Sequence, residues 1–67
     1  MMKFSIAKGT GYWDVTHYPL GGCFKRAPEG MVVTDCAPHE VDERVIYGYF
    51  NGARVAFNRA IAVQVAA

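Results

Sequence analysis

The chain has 67 residues, of which 52% are hydrophobic and 19% are charged, and its formal net charge is +1. This length allows one small domain, residues 1–67, that buries about 60% of the surface of the unfolded chain. The apolar content excludes a disordered protein, and no apolar run approaches the ~20 residues of a membrane-spanning helix. The small net charge gives no general attraction to nucleic acids or lipids.

The N-terminal segment predicts a first hairpin, because apolar side chains alternate along residues 2–7 and again along 12–17. Lys8-Gly9-Thr10-Gly11 would form the loop between the two strands. This register brings two pairs to a shared inner face: Ile6 with Trp13, and Phe4 with Val15.

The middle of the chain predicts shorter elements. Residues 31–34 read as a strand after the Pro28-Glu29-Gly30 turn, and Cys23-Phe24-Lys25 reads as a short edge strand. Residues 38–43 allow either a single helical turn, with Pro38 tolerated in its first turn, or a plain loop.

The strongest local signal is Asn51-Gly52, which suits a type I′ turn because both positions require a positive φ. A two-residue loop here pairs Tyr49 with Arg54. It then separates an apolar face from a polar one, and a slip of one residue would mix them. The apolar face carries Ile46, Gly48, Phe50, Ala53, Val55 and Phe57, and the other carries Tyr47, Tyr49, Arg54 and Asn58.

The C-terminal segment admits two interpretations. Valine and isoleucine continue the alternation to Val65, which favours one long bent strand with a bulge at Asn58-Arg59. The alanines of residues 60–67 allow a short helix instead. We favour the strand. The fold class expected is therefore all-β, with five or six short antiparallel strands in a bent sheet or partly closed barrel.

Two cysteines, Cys23 and Cys36, and the absence of a secretory signal pattern favour a cytoplasmic protein with reduced thiols. A single disulfide between them remains an alternative. With His17 and His39 they make four possible zinc ligands, but His17 and Cys23 flank an irregular proline-glycine loop. We therefore predict that the protein binds no metal and no other cofactor.

No catalytic residue is assigned, because no nucleophile motif or phosphate-binding loop is present. Ser5 is the only serine, and it falls on a predicted strand. Adjacent carboxylates at Asp42 and Glu43 are more simply a solvated segment. The sequence thus predicts a protein that is not an enzyme.

Charge and aromatic residues define two candidate binding surfaces. Residues 29–43 contain five acids and no lysine or arginine, so Glu40, Asp42 and Glu43 could meet a basic surface on a partner. Tyr47, Tyr49 and Arg54 are of the residue types enriched at binding hot spots. Each set also has a simpler interpretation. The acids could belong to a solvated loop, and the tyrosines and Arg54 could form a cross-strand cation–π contact that needs no partner.

The sequence therefore predicts a small non-enzymatic binding protein that occupies a surface on a larger protein, of the kind that phages and plasmids use to inhibit or regulate a host system. The alternative is a small nucleic-acid-binding barrel that uses the tyrosines with Lys25, Arg26, Arg54 and Arg59. A zinc-stabilised module or a very small enzyme is a weaker third hypothesis, and a homodimer is compatible with any of them.

Overall fold

A computed structural model describes all 67 residues as one antiparallel sheet of seven strands. The strands lie in the order β3-β2-β6-β5-β4-β1-β7 and the sheet does not close, so β3 and β7 are its edges. The strands are β1 (Met2–Ile6), β2 (Gly11–Asp14), β3 (Phe24–Arg26), β4 (Val32–Cys36), β5 (Val45–Phe50), β6 (Ala53–Asn58) and β7 (Ala62–Ala66), with short 3₁₀ turns at Pro38–Glu40 and Arg59–Ile61. The all-β class is confirmed, and the expected five or six strands are in fact seven.

The β5–β6 hairpin has the register that the sequence predicts. Phe50 pairs with Ala53, and Tyr49 pairs with Arg54. Asn51 and Gly52 have φ values of 51° and 78°, the left-handed conformation that a type I′ turn needs. Because this turn fixes the register, the apolar side chains of both strands enter the core together.

The predicted N-terminal hairpin is wrong. β1 pairs with β4 and β7, whereas β2 pairs with β3 and β6, so β1 and β2 are not neighbours. The inward face of β2 is also reversed, since Tyr12 and Asp14 are buried and Trp13 is only half-buried. The inner positions of β2 are filled by the Tyr12 ring and by Asp14, a carboxylate with hydrogen-bond partners. Alternation of apolar residues indicates a strand, but it does not identify the strand with which it pairs.

The C-terminal segment is a strand, but not a continuation of β6. The Asn58 side chain accepts a hydrogen bond of 2.9 Å from the Ala60 amide and caps the 3₁₀ turn at Arg59–Ile61. This turn carries the chain across to β1, where Ile6 pairs with Ala62. In place of the bulge expected at Asn58-Arg59, the chain leaves β6 at Asn58 and turns toward β1. The expected alternative, a C-terminal helix, is present only as the three-residue 3₁₀ turn.

The sheet bends strongly enough for distant strands to meet in one core. The rings of Phe4 on β1 and Phe57 on β6 lie 5.9 Å apart, although β5 and β4 separate these strands along the sheet. Met31, Val33 and Ile46 complete the most deeply buried part of the cluster. The concave face of the sheet is therefore the core, and its convex face presents the second set of side chains to solvent.

Candidate interaction surface

Arg54 forms the centre of a small cluster on the convex face. It lies opposite Tyr49 in the hairpin, and its guanidinium carbon is 5.0 Å from the centre of the Tyr47 ring. The same guanidinium donates to a Glu40 carboxylate oxygen from the 3₁₀ turn, and this hydrogen bond raises the pKa of Arg54. The structure thus brings together four of the six predicted binding residues, in an arrangement that also satisfies Arg54 internally.

The other two acids have different positions. The Asp42 Oδ1 atom accepts hydrogen bonds from the Arg44 and Val45 amides at 2.6 and 2.7 Å. These bonds turn the chain into β5 and lower the pKa of Asp42. Glu43 is exposed and lies at the rim of a groove. Asp42 is therefore a turn residue, and Glu43 belongs to a different surface from Glu40.

This groove, which we call the aromatic groove, runs over the convex face from β5 across β6 and β2 to the edge strand β3, and has a volume of about 620 Å³. The Trp13 and Tyr47 rings meet edge to face with centres 6.5 Å apart, and Ala56 lies between them in the pairing of the strands. Phe24 is 72% exposed beside them. Glu43 and Arg44 place one charge of each sign at the rim.

The sequence missed the aromatic groove because it assigned Trp13 to the core. The Trp13 indole nitrogen donates a hydrogen bond of 2.7 Å to the Tyr18 carbonyl, which fixes the ring on the convex face. Tyr12 and Trp13 are adjacent, and adjacent side chains on a strand point to opposite faces of the sheet. The sequence therefore showed that one of the two rings must lie outside the core, but not which one.

A second polar cluster, also missed, surrounds Asp14, whose exposed fraction is 4%. Its Oδ2 atom lies 2.8 Å from His17 Nδ1 and 3.1 Å from Lys25 Nζ, and its Oδ1 atom accepts from the His17 amide. Burial raises the pKa of Asp14, but the hydrogen bonds from His17 and Lys25 outweigh it and lower the pKa to about 2. The cluster lines a shallow cavity of about 280 Å³ and ties β3 to β2.

The four residues considered as zinc ligands occupy unlike environments. Cys36 is wholly buried in the core, whereas Cys23 is exposed. The His17 ring bonds Asp14, and His39 Nε2 lies 3.9 Å from a Glu40 oxygen. No group of three histidine, cysteine, aspartate or glutamate side chains is placed where it could hold a metal ion.

The four basic residues of the nucleic-acid hypothesis are all engaged by the protein itself. Lys25 pairs with Asp14, and Arg26 donates to the Gly9 carbonyl at 3.0 Å. Arg54 pairs with Glu40, while Arg59 donates to the Ala62 carbonyl at 3.0 Å and lies over the Phe4 ring. A phosphate backbone would have to compete with these contacts.

The chain matches no protein-family model, and no curated protein or solved structure is significantly similar to it. None of the helical turns approaches the length and apolar character needed to cross a membrane.

Proposed function

We propose that this chain is a non-enzymatic binding protein that occupies a surface on a larger protein through the aromatic groove. The observation that carries the proposal is the exposed Phe24 ring beside Trp13 and Tyr47, at the edge of an apolar cavity of about 620 Å³. Large aromatic side chains that stay exposed around a cavity are characteristic of interaction sites. A projecting apolar or aromatic side chain of the partner suits this groove.

The rim of the groove suits a protein partner better than a nucleic acid. Glu43 and Arg44 stand together there, so an approaching phosphate would meet a carboxylate as well as a guanidinium. Rings such as Trp13 and Phe24 could stack on bases, which keeps a nucleic-acid-binding protein as the second candidate. That candidate requires several basic residues along the groove, and Arg44 is the single lysine or arginine that lines it.

Within this proposal we favour the class of small inhibitors or regulators, including those by which phages and plasmids block a host system. A domain measuring 29 × 25 × 22 Å has room for one such groove beside its core. An inhibitor that works by covering a surface of its partner needs no catalytic side chain. The thiol of Cys36 is unsuited to nucleophilic chemistry, since burial raises its pKa.

The test is affinity capture from an extract of the cell that naturally makes the chain, followed by mass spectrometry. Wild type is compared with Phe24→Ala and with Leu20→Ala, a matched control whose side chain is 100% exposed but lies outside the groove. Phe24→Ala should weaken binding of the captured protein by about 30-fold, the loss typical of a hot-spot residue. Equal capture by Phe24→Ala and wild type would remove the groove from the proposal.

A further inference from the structure

The two edges of the sheet differ in how they are protected. The edge strand β3 carries Lys25 and Arg26, and charged side chains of this kind discourage pairing with another strand. The edge strand β7 carries no charge and no proline, and none occurs between residue 60 and residue 67. Its Val63 and Val65 side chains are 67% and 54% exposed. Only β1 pairs with β7, with a register shift between Gln64 and Ala66, and no strand pairs with the outer edge of β7.

We propose that the open edge of β7 pairs with β7 of a second copy of this chain, antiparallel, about a two-fold axis at Gln64. The sequence of β7, Ala-Val-Gln-Val-Ala, reads the same in both directions. In a two-fold pair each residue faces its mirror position in the other copy. Val63 therefore faces Val65, Ala62 faces Ala66, and Gln64 faces Gln64.

This symmetry selects a second copy over an unrelated strand. Val63 and Val65 are both exposed on β7, and each faces the other in the second copy, so the pairing brings together two valines from each copy. The Gln64 side chain now bonds the Ala66 carbonyl of its own strand at 3.4 Å, and at the axis it can bond the facing glutamine instead. No charged group is brought together with a like charge.

The contact is short. Arg59 already occupies the Ala62 carbonyl, so the ladder about the axis at Gln64 is limited to residues 63–65 of each copy. A strand pair of this length is smaller than a standard protein interface, so the dimer is weak and forms with rising concentration. It is distinct from the proposed function, because the aromatic groove is lined as far as Ala60 and the new ladder begins at Val63, so the two surfaces share no residue.

Sedimentation velocity over a concentration series up to about 200 µM tests the pairing, a range suited to a weak interface. Wild type should shift from monomer to dimer. The double variant Val63→Lys, Val65→Lys places lysine against lysine and should stay monomeric. The charge-swapped variant Val63→Lys, Val65→Glu places lysine against glutamate in both halves and should recover the dimer. All these side chains are exposed, so circular dichroism should show the same fold in each variant.

Leu20→Lys is the matched control, since it adds a lysine at a fully exposed apolar residue outside β7 and should dimerise as wild type does. A wild type that stays monomeric throughout the series, or a double-lysine variant that dimerises as well as wild type, would overturn the proposal. So would a charge-swapped variant that stays monomeric while folded.

Cross-linking tests the register. In a Cys23→Ser background, Gln64→Cys places two thiols on the axis with Cα atoms about 4.5–5.5 Å apart, within the span of a disulfide. Val63→Cys is the control, because its two copies lie two residues out of register, beyond about 7 Å. Mild oxidation should yield a covalent dimer of Gln64→Cys several times faster than of Val63→Cys. Equal rates, or a faster Val63→Cys reaction, would contradict the two-fold at Gln64.

Discussion

Gly48 leaves the space that Val33 occupies: a Cβ atom on Gly48 would lie 2.5 Å from Val33 Cγ1 and 2.6 Å from Cys36 Sγ. Gly48 is on β5 and the other two residues are on β4, so the missing side chain lets these strands pack closely at the centre of the core. Real Cβ atoms are not found at such distances, so any larger residue here must displace the Val33 and Cys36 side chains or the β4 backbone.

Gly48→Ala should therefore destabilise the fold by about 1–3 kcal/mol, the usual cost of overpacking a core. Urea unfolding followed by tryptophan fluorescence measures the change. Gly11→Ala is the control, since its Cβ would meet nothing within 4 Å and its φ is not positive. Equal stability of the two variants would show that β4 can move away from β5 without cost.

Gly52→Val should lower the free energy of unfolding by about 1–3 kcal/mol, because a β-branched residue resists the φ of 78° that Gly52 adopts. The space around Gly52 is open, so the effect isolates backbone conformation from packing. Thermal unfolding compares it with Asn51→Gly, which preserves the turn. An unchanged melting temperature for Gly52→Val would exclude the type I′ turn.

The Asp14 cluster makes the protein sensitive to acid. The folded protein holds the pKa of Asp14 at about 2, below its ordinary value of 3.8. Between these two values the unfolded chain binds the proton more readily, so the contribution of Asp14 to stability is complete above about pH 5 and is lost as the pH falls toward 2. Asp14→Asn should flatten this part of a melting-temperature profile.

Asp42 also makes the folded protein less stable in acid, since its pKa is lowered as well. The profile of Asp42→Asn between pH 2 and about 6 therefore serves as the comparison for Asp14→Asn. A wild-type slope retained by Asp14→Asn would assign the acid sensitivity to other carboxylates.

The two thiols should react at very different rates. Cys23 is exposed, whereas Cys36 is buried and its pKa is raised by burial and by the nearby Asp35 and Glu40 carboxylates. A thiol reagent should label Cys23 in the native protein and Cys36 only after denaturation. Cys23→Ser should remove the fast reaction, and rapid labelling that persists in this variant would show that the core opens readily around Cys36.

Gel shift at ~50 mM salt separates the two candidate functions, because non-specific nucleic-acid binders are most evident at low ionic strength. We expect no shift with single- or double-stranded DNA or RNA at micromolar protein. If shifts occur and Arg54→Ala with Arg59→Ala weakens them and flattens the salt dependence, the nucleic-acid-binding function replaces the proposed one. For a protein partner in the aromatic groove, Tyr47→Ala should weaken binding by about 2 kcal/mol, whereas Tyr49→Ala, outside the groove, should have a smaller effect. Neutralising Glu43 at the rim of the groove should weaken the binding of a partner with a basic surface.

The sequence alone specified the features that depend on neighbouring residues, above all the β5–β6 hairpin. Asn51-Gly52 specifies its turn through backbone conformation alone, and the alternation on either side then determines which side chains of the β5–β6 hairpin face the core. The same pattern identified β4 and the edge strand β3. It also placed Arg54 opposite Tyr49, because a hairpin register depends only on residues within the hairpin.

Tertiary structure decided which strands become neighbours and which face of β2 turns inward. β1 lies between β4 and β7, contacts made across long stretches of chain whose alternation would suit several partners equally well. Asp14 is accepted in the interior only because Lys25, eleven residues away, and His17 supply its hydrogen bonds. That exchange moves Trp13 to the convex face and creates the aromatic groove with Phe24. The driving force is the shared burial of Phe4, Phe57 and Tyr12, a property of the whole sheet that no single segment carries.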